Sequence, residues 1–152
     1  SDIGSFLKDC SMIITEYCGG ASGPIWGSAF RSAARYSAGK IELDLKELSE
    51  MMGSAVEGIQ KRGGAKLGDK TLLDALIPAA ESLRQSSQSE ENLIDAMKKC
   101  AQAAVTGAEN TRKMVASKGR ASYVGERSIK FPDAGAQAIG IIFTGISQKF
   151  YS

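Results

Sequence analysis

The sequence predicts an all-α protein, and three observations carry that reading. Apolar residues recur at three- and four-residue steps almost throughout. No segment alternates apolar and polar side chains long enough to make a half-buried strand. Capping residues, glycines and prolines fall between the periodic runs. The 152 residues amount to a single domain, 1–152, and about six helices with short connections imply an antiparallel, up-and-down bundle or barrel.

Taken in order, Asp2 is placed to cap a first helix running to about Cys18, with Ile3, Phe6, Leu7, Cys10, Ile14 and Tyr17 on one face. Gly19-Gly20-Ala21-Ser22-Gly23 ends it, and Pro24 opens the second helix, where its missing N–H costs nothing. Ile25, Trp26, Ala29, Phe30, Ala33 and Ala34 carry that helix to about Tyr36, before the Ser37-Ala38-Gly39 stop. Asp44 and Glu47 have capping-box spacing and open a third helix with Leu45, Leu48, Met52, Ala55 and Ile59 as its stripe.

Arg62 to Gly68 is a loop, after which Asp69 is expected to cap a fourth helix from about Lys70 to Gln85. Pro78 lies inside that helix and should kink it. The polar stretch Gln85–Glu91 precedes a long fifth helix ending near Lys118, with Leu93, Met97, Cys100, Ala104, Ala108, Thr111 and Val115 inward and Gly119 as its stop. Residues 119–134 are irregular. A sixth helix, about Gly135 to Phe150, is apolar around most of its circumference, which places it centrally in the core.

Composition excludes several chemistries. The chain has no histidine, so Ser-His-Asp and Cys-His nucleophiles, His-ligated zinc and a phosphohistidine are all ruled out. Nineteen basic against seventeen acidic side chains leave +2, too balanced to point to nucleic acid. Cys10, Cys18 and Cys100 are odd in number and lack C-x-x-C spacing, as expected of reduced thiols in a cytoplasmic protein. No apolar run reaches the ~18 residues of a membrane span, and no secretory leader is visible. No residues have metal-ligand spacing, and no catalytic side chain is assigned. The start at Ser1, almost directly in a helix, is expected of a piece of a longer chain.

Three loops exceed what a plain bundle needs. Gly19-Gly20-Ala21-Ser22-Gly23-Pro24 ends at a helix start, where unpaired amides attract anions; the same residues could equally form a tight interhelical turn. Arg62-Gly63-Gly64-Ala65-Lys66-Leu67-Gly68-Asp69-Lys70-Thr71 mixes glycines with cations, fit either to wrap a base or phosphate or to serve as a solvated connector. Lys118 to Ser128, followed by Pro132-Asp133-Ala134-Gly135, is too long to be only a turn. Arg120 and Arg127 could grip phosphate oxygens or a partner's carboxylate, and Asp133 could cap the last helix.

Those loops, above all Lys118-Gly119-Arg120-Ala121-Ser122-Tyr123 through Gly125-Glu126-Arg127-Ser128, resemble the nucleotide-binding domain of the dihydroxyacetone kinases. The resemblance is strongest to the separate bacterial L subunit and covers essentially the whole chain. It implies an eight-helix antiparallel barrel with ADP or ATP held at one rim as a cofactor. It also implies partners: a phosphocarrier M subunit that rephosphorylates ADP, and a K subunit holding the dihydroxyacetone that receives the phosphoryl group.

Carried over position by position, Gly20, Ala21 and Ser22 would meet the phosphates, and Gly63 and Leu72 would line the adenine. Arg120 would reach the phosphate or ribose side, and Asp133, Ala134 and Gly135 would close over the nucleotide. Ala134 stands where the family has proline, and Leu72 where some relatives have methionine. The family's Asp-rich loop, which holds two Mg²⁺ ions, has no counterpart in this chain, nor have about two helices before it. The resemblance therefore implies a truncated chain that is inactive by itself and exposes an apolar seam through which copies could associate. The rival expectation is a non-catalytic nucleotide- or ligand-binding regulatory module of the same fold.

Overall fold

In the computed structural model, Asp2 accepts the Ser5 N–H at 2.6 Å, and the helical residues 4–5, 7–9 and 11–12 behind it form α1. The second Asp2 oxygen accepts the Gly39 N–H at 2.7 Å, and these bonds, the one from Ser5 foremost, hold its carboxyl below the usual carboxylate range. The structure describes residues 2, 4–5, 7–9, 11–12, 22–115 and 131–149, with only the backbone at Ser22 and Lys149. The predicted first-helix positions Ile3, Phe6, Cys10, Ile14, Tyr17 and Cys18 lie outside them.

The chain divides into two units, Ser1–Gly64 and Ala65–Ser152. The first contains α1, α2 (Ser22–Tyr36) and α3 (Leu45–Gly63). Ser11 Oγ donates to the Gly27 carbonyl at 2.8 Å while Asp2 meets Gly39, so α1 runs antiparallel to α2. The Tyr36 hydroxyl donates to Glu50 at one end of the α2–α3 pair, and Ile25 lies beside Gly63 at the other, so this pair is antiparallel as well. Ala29, Ala33, Ala34 and Ala55, with Met52 and Ile59, are the buried side chains of α2 and α3.

The Asp44 capping box is present in full. Its side chain accepts the Glu47 N–H at 2.8 Å, and Glu47 reaches back to the Asp44 N–H at 3.3 Å. Glu47 also pairs with the Lys40 ammonium, which, with the Asp44 N–H, holds its carboxyl below the ordinary glutamate value. Helix α3 runs to Gly63, one residue beyond the expected start of the loop at Arg62, and is closed by Gly64 in the left-handed region at φ +64°.

The second unit contains α4 (Leu73–Gln88), α5 (Leu93–Asn110), a 3₁₀ turn at Thr111–Lys113 and α6 (Ala134–Lys149). Helix α5 packs against both α4 and α6. Asp74 lies beside Gly107, Val105 beside Gly140 and Thr111 beside Asp133, so neighbours along the chain are antiparallel. Leu73, Ala75, Ala79, Leu83, Ala104 and Cys100 are almost completely buried. Burial pushes the Cys100 thiol up to about 12.

Pro78 removes the N–H that would have bonded the Asp74 carbonyl within α4. That carbonyl faces Gly107, where an added Cβ would lie 2.2 Å from its oxygen. Only glycine permits α5 to approach so closely.

The fold class is all-α, with six helices and no strand among the described residues. Three expectations about individual elements need correction. Helix α4 begins at Leu73, not Lys70, because Lys70 sits at φ +60°, which no right-handed helix accommodates. It runs on to Gln88, so the polar stretch from Gln85 is mostly helix.

Helix α5 ends at Asn110, not near Lys118. Thr111 is fully buried, its hydroxyl turns back to the Ala108 carbonyl, and Met114 is already extended. Val115 is exposed rather than inward, and Gly119 lies outside the described residues. Finally, α6 buries Ala136 and Ile139 but exposes Ile141 at 73%, Ile142 at 45% and Ile146 at 41%. Its apolar circumference is not enclosed by the helices of its unit.

Candidate functional site

The loop before α4 takes its shape from one carboxylate. Asp74, 2% exposed, accepts the Gly68 N–H through Oδ1 at 2.6 Å and the Thr71 N–H through Oδ2 at 2.9 Å. Thr71 Oγ1 in turn accepts the Leu73 N–H at 3.2 Å. Asp69, expected to cap the helix, instead accepts the Lys66 N–H at 3.0 Å within the loop. Leu72 occupies the N-cap position with no side-chain cap of its own.

Between these residues Lys70 turns inward and is 2% exposed. Its ammonium donates to the Met114 carbonyl at 3.1 Å and to the Phe131 carbonyl at 2.6 Å. Burial pushes its pKa below the ordinary lysine value, and the charge of Asp133 opposes that shift.

Asp133 caps α6, its Oδ2 accepting the Ala136 N–H at 2.9 Å. Its own N–H donates to Thr111 Oγ1 at 2.7 Å, which fastens the start of α6 to the end of α5. Burial raises the Asp133 pKa and the Asp74 charge adds to this, against the amides of Ala136 and Gly135 and the Lys70 cation. Gly135 completes the cluster: a Cβ there would lie 3.1 Å from Leu72 Cβ and 3.2 Å from Asp133 Oδ2.

Leu72 thus meets Asp133 and Gly135 from 61 and 63 positions away in the chain, with Ala134 exposed as the first residue of α6. The cluster combines a buried apolar side chain at Leu72, a half-buried carboxylate and a helix start whose amides are already capped. That donor set suits an apolar ring and hydroxyl groups better than a phosphate, because the capping carboxylate would repel an anion.

The other expected residues belong to the first unit or lie outside the described residues. Gly63 is the exposed last residue of α3, and the protein itself leaves room for a side chain there. Ser22 begins α2, while Gly20, Ala21, Arg120 and Arg127 lie outside the described residues. Lys70 stands in the sequence only as one cation of a candidate loop, and no binding or positioning role attaches there to Asp74 or Thr111. The signal for Asp74 was available, as an acid in the first turn after a Gly-Asp-Lys-Thr loop; for a lysine directed inward no spacing rule exists.

Elsewhere, an open groove of about 590 Å³ between α2 and α3 is lined by Arg31, Arg35, Lys61 and Arg62, with Glu57 among them. Among the described residues, its lining includes none of the residues assigned to the nucleotide. Among the described residues no group of three or more Cys, Asp or Glu side chains could hold a metal ion. No described helix is long and apolar enough to cross a membrane.

The DAK2 domain family matches residues 1–148. The chain is 42% identical over 138 residues to the ADP-binding subunit DhaL of the PEP-dependent dihydroxyacetone kinase of Escherichia coli K12, covering 91% of this chain and 66% of that protein. It is 38% identical over 148 residues to a Listeria innocua subunit of the same description, PEP-dependent dihydroxyacetone kinase 2, covering 97% of this chain and 68% of the relative. Similarity extends to the triokinase/FMN cyclase of Rattus norvegicus, at 35% identity over 140 residues, 92% of this chain and 24% of that longer protein. The chain spans about two thirds of the length of these DhaL relatives. It belongs to the DAK2 domain family.

Proposed function

We propose that this chain is the ADP-binding part of a phosphotransferase, a dihydroxyacetone kinase subunit of the L type. It would relay a phosphoryl group from a phosphocarrier M subunit, through bound ADP and ATP, to dihydroxyacetone on a K subunit in the cytoplasm. Residues 1–152 form one nucleotide-binding domain in this reading, supported by a family match that runs across both units. The observation that carries the proposal is the convergence of Leu72, Asp133 and Gly135 in a chain 42% identical to an ADP-binding subunit.

In this assignment Leu72 and Gly63 face the adenine, and the Asp133 carboxylate accepts hydrogen bonds from ribose hydroxyls, with Ala134 and Gly135 closing beside it. The amides of Gly20 and Ala21, the Ser22 hydroxyl and the Arg120 guanidinium take the phosphates. When bound, the nucleotide supplies the transferable phosphoryl group; the protein's part is to bind it, orient it and exclude water. Since the described residues offer Mg²⁺ no carboxylate cluster, no step is assigned to it.

Calorimetric titration of the chain with ADP, with and without Mg²⁺, tests the reading. Saturable one-site binding, weakened about tenfold by Ser22→Ala or Arg120→Ala at unchanged helix content, is the expected result. No saturable binding under either condition overturns it.

A further inference from the structure

Lys70 combines two unfavourable conditions. Its backbone sits at φ +60°, a region that side-chain-bearing residues rarely adopt, and its ammonium is withdrawn from water with the residue 2% exposed. A residue held in such a state persists because its surroundings need it there, and such residues gather at functional sites. The partners say what is needed. The ammonium joins the carbonyls of Met114 and Phe131, residues 44 and 61 positions further along the chain.

The start of α6 is tied to the same region by the Asp133 amide on Thr111. Lys70 and this bond therefore fix two separate chain segments, 111–114 and 131–135, against the loop that Asp74 holds in place. Leu72, two residues from Lys70, meets Gly135 at the centre of that arrangement.

We propose that Lys70 is a positioning residue for the nucleotide rim. Its ammonium sets the spacing between the Gly68–Leu72 loop and the Asp133–Gly135 helix start, and so how closely Leu72 and the Asp133 carboxylate are held to each other. This rests on the nucleotide assignment made above, although the clamp itself is a property of the protein alone. Arginine would keep donors at the position. Methionine would keep the length and the strained backbone but lose the donors. Glycine would lose the donors and relieve the strain.

The test uses the full chain with Lys70→Met, Lys70→Gly and Lys70→Arg, each followed by ADP calorimetry, thermal unfolding and amide hydrogen exchange. Both donor-less variants should bind ADP at least tenfold more weakly, with faster exchange at the Asp133 amide. Lys70→Gly should nevertheless unfold at a higher temperature than Lys70→Met, so that affinity and stability part company. Lys70→Arg should recover most of the affinity. Affinity that tracks the unfolding temperature across all three variants would reduce Lys70 to a structural residue and overturn the proposal, as would unchanged exchange at Asp133 in Lys70→Met. If even the unsubstituted chain binds no ADP, the nucleotide assignment fails and the proposed role at a nucleotide rim falls with it; the exchange measurement then still decides whether the clamp exists.

Discussion

Helices α3 and α4 both begin after a loop containing glycine, and they satisfy their first amides in opposite ways. At α3 everything is local: Asp44 and Glu47 exchange hydrogen bonds across one turn, and Lys40 steadies Glu47 from seven residues away. At α4 the cap position is Leu72, and the carboxylate in the first turn, Asp74, is directed backwards at Gly68 and Thr71. The first arrangement ends a loop. The second ties the loop to the core, because the side chain that shapes it is itself buried. A helix start that only needs to exist can be built from four residues, whereas one that must present a loop in a fixed shape draws on residues from positions 68 to 133.

Substitutions at the two starts should therefore differ in kind. Asp74→Ala removes two charge-assisted bonds and leaves the Gly68 and Thr71 amides without their acceptor. A loss of about 3 kcal/mol or more in urea unfolding is expected, together with loss of ADP binding. A variant of near-normal stability would show that the loop does not depend on Asp74.

Gly107→Ala comes next. Its methyl group would have to sit 2.2 Å from the Asp74 carbonyl oxygen, so α4 and α5 must separate. Overpacking of this kind costs about 1–3 kcal/mol, and the better helix propensity of alanine returns up to about 1. A net stabilisation would mean that the close crossing is not needed.

Asp44→Ala should cost about 1 kcal/mol and leave ADP affinity unchanged, since this cap serves its helix alone. An affinity change as large as that of Asp74→Ala would erase the contrast between the two starts.

The smallest effect belongs to Tyr36→Phe. The bond to Glu50 raises the Tyr36 pKa to about 12, above the ordinary value near 10. A folded pKa above the unfolded one means that the contribution is fully present below pH 10 and is lost as pH rises through 12. In this exposed setting it should amount to less than about 1 kcal/mol. The stability difference between the two proteins should close between pH 10 and 12; a difference that widens would reverse the sign of the coupling.

The same contrast explains what could be read from the sequence. The α3 cap and the fold class were legible, because they depend on spacing within a few residues. Leu72, Asp133, Ala134 and Gly135 were named through family resemblance, and three of them do meet. The start of α4 was misplaced by three residues because Asp69 and Asp74 carry the same chemistry, and only tertiary contacts decide which of them turns inward. Lys70 read as one loop cation among several, since burial of a lysine is fixed by carbonyls 44 and 61 residues away. On α6, Ile141, Ile142 and Ile146 registered as apolar, but a count of apolar residues does not say which neighbour covers them.

The setting of Cys100 has a chemical consequence as well. Peroxide oxidises thiolates, and a thiol that ionises only near 12 remains protonated throughout the physiological range. Met97 beside it on α5 is 3% exposed, and Met52 in the other unit 7%. Met12, by contrast, is 62% exposed. Oxidative ageing should therefore mark α1 long before it reaches the sulfur atoms inside α5, so that sulfoxide at residue 12 dates a sample whose core chemistry is still intact.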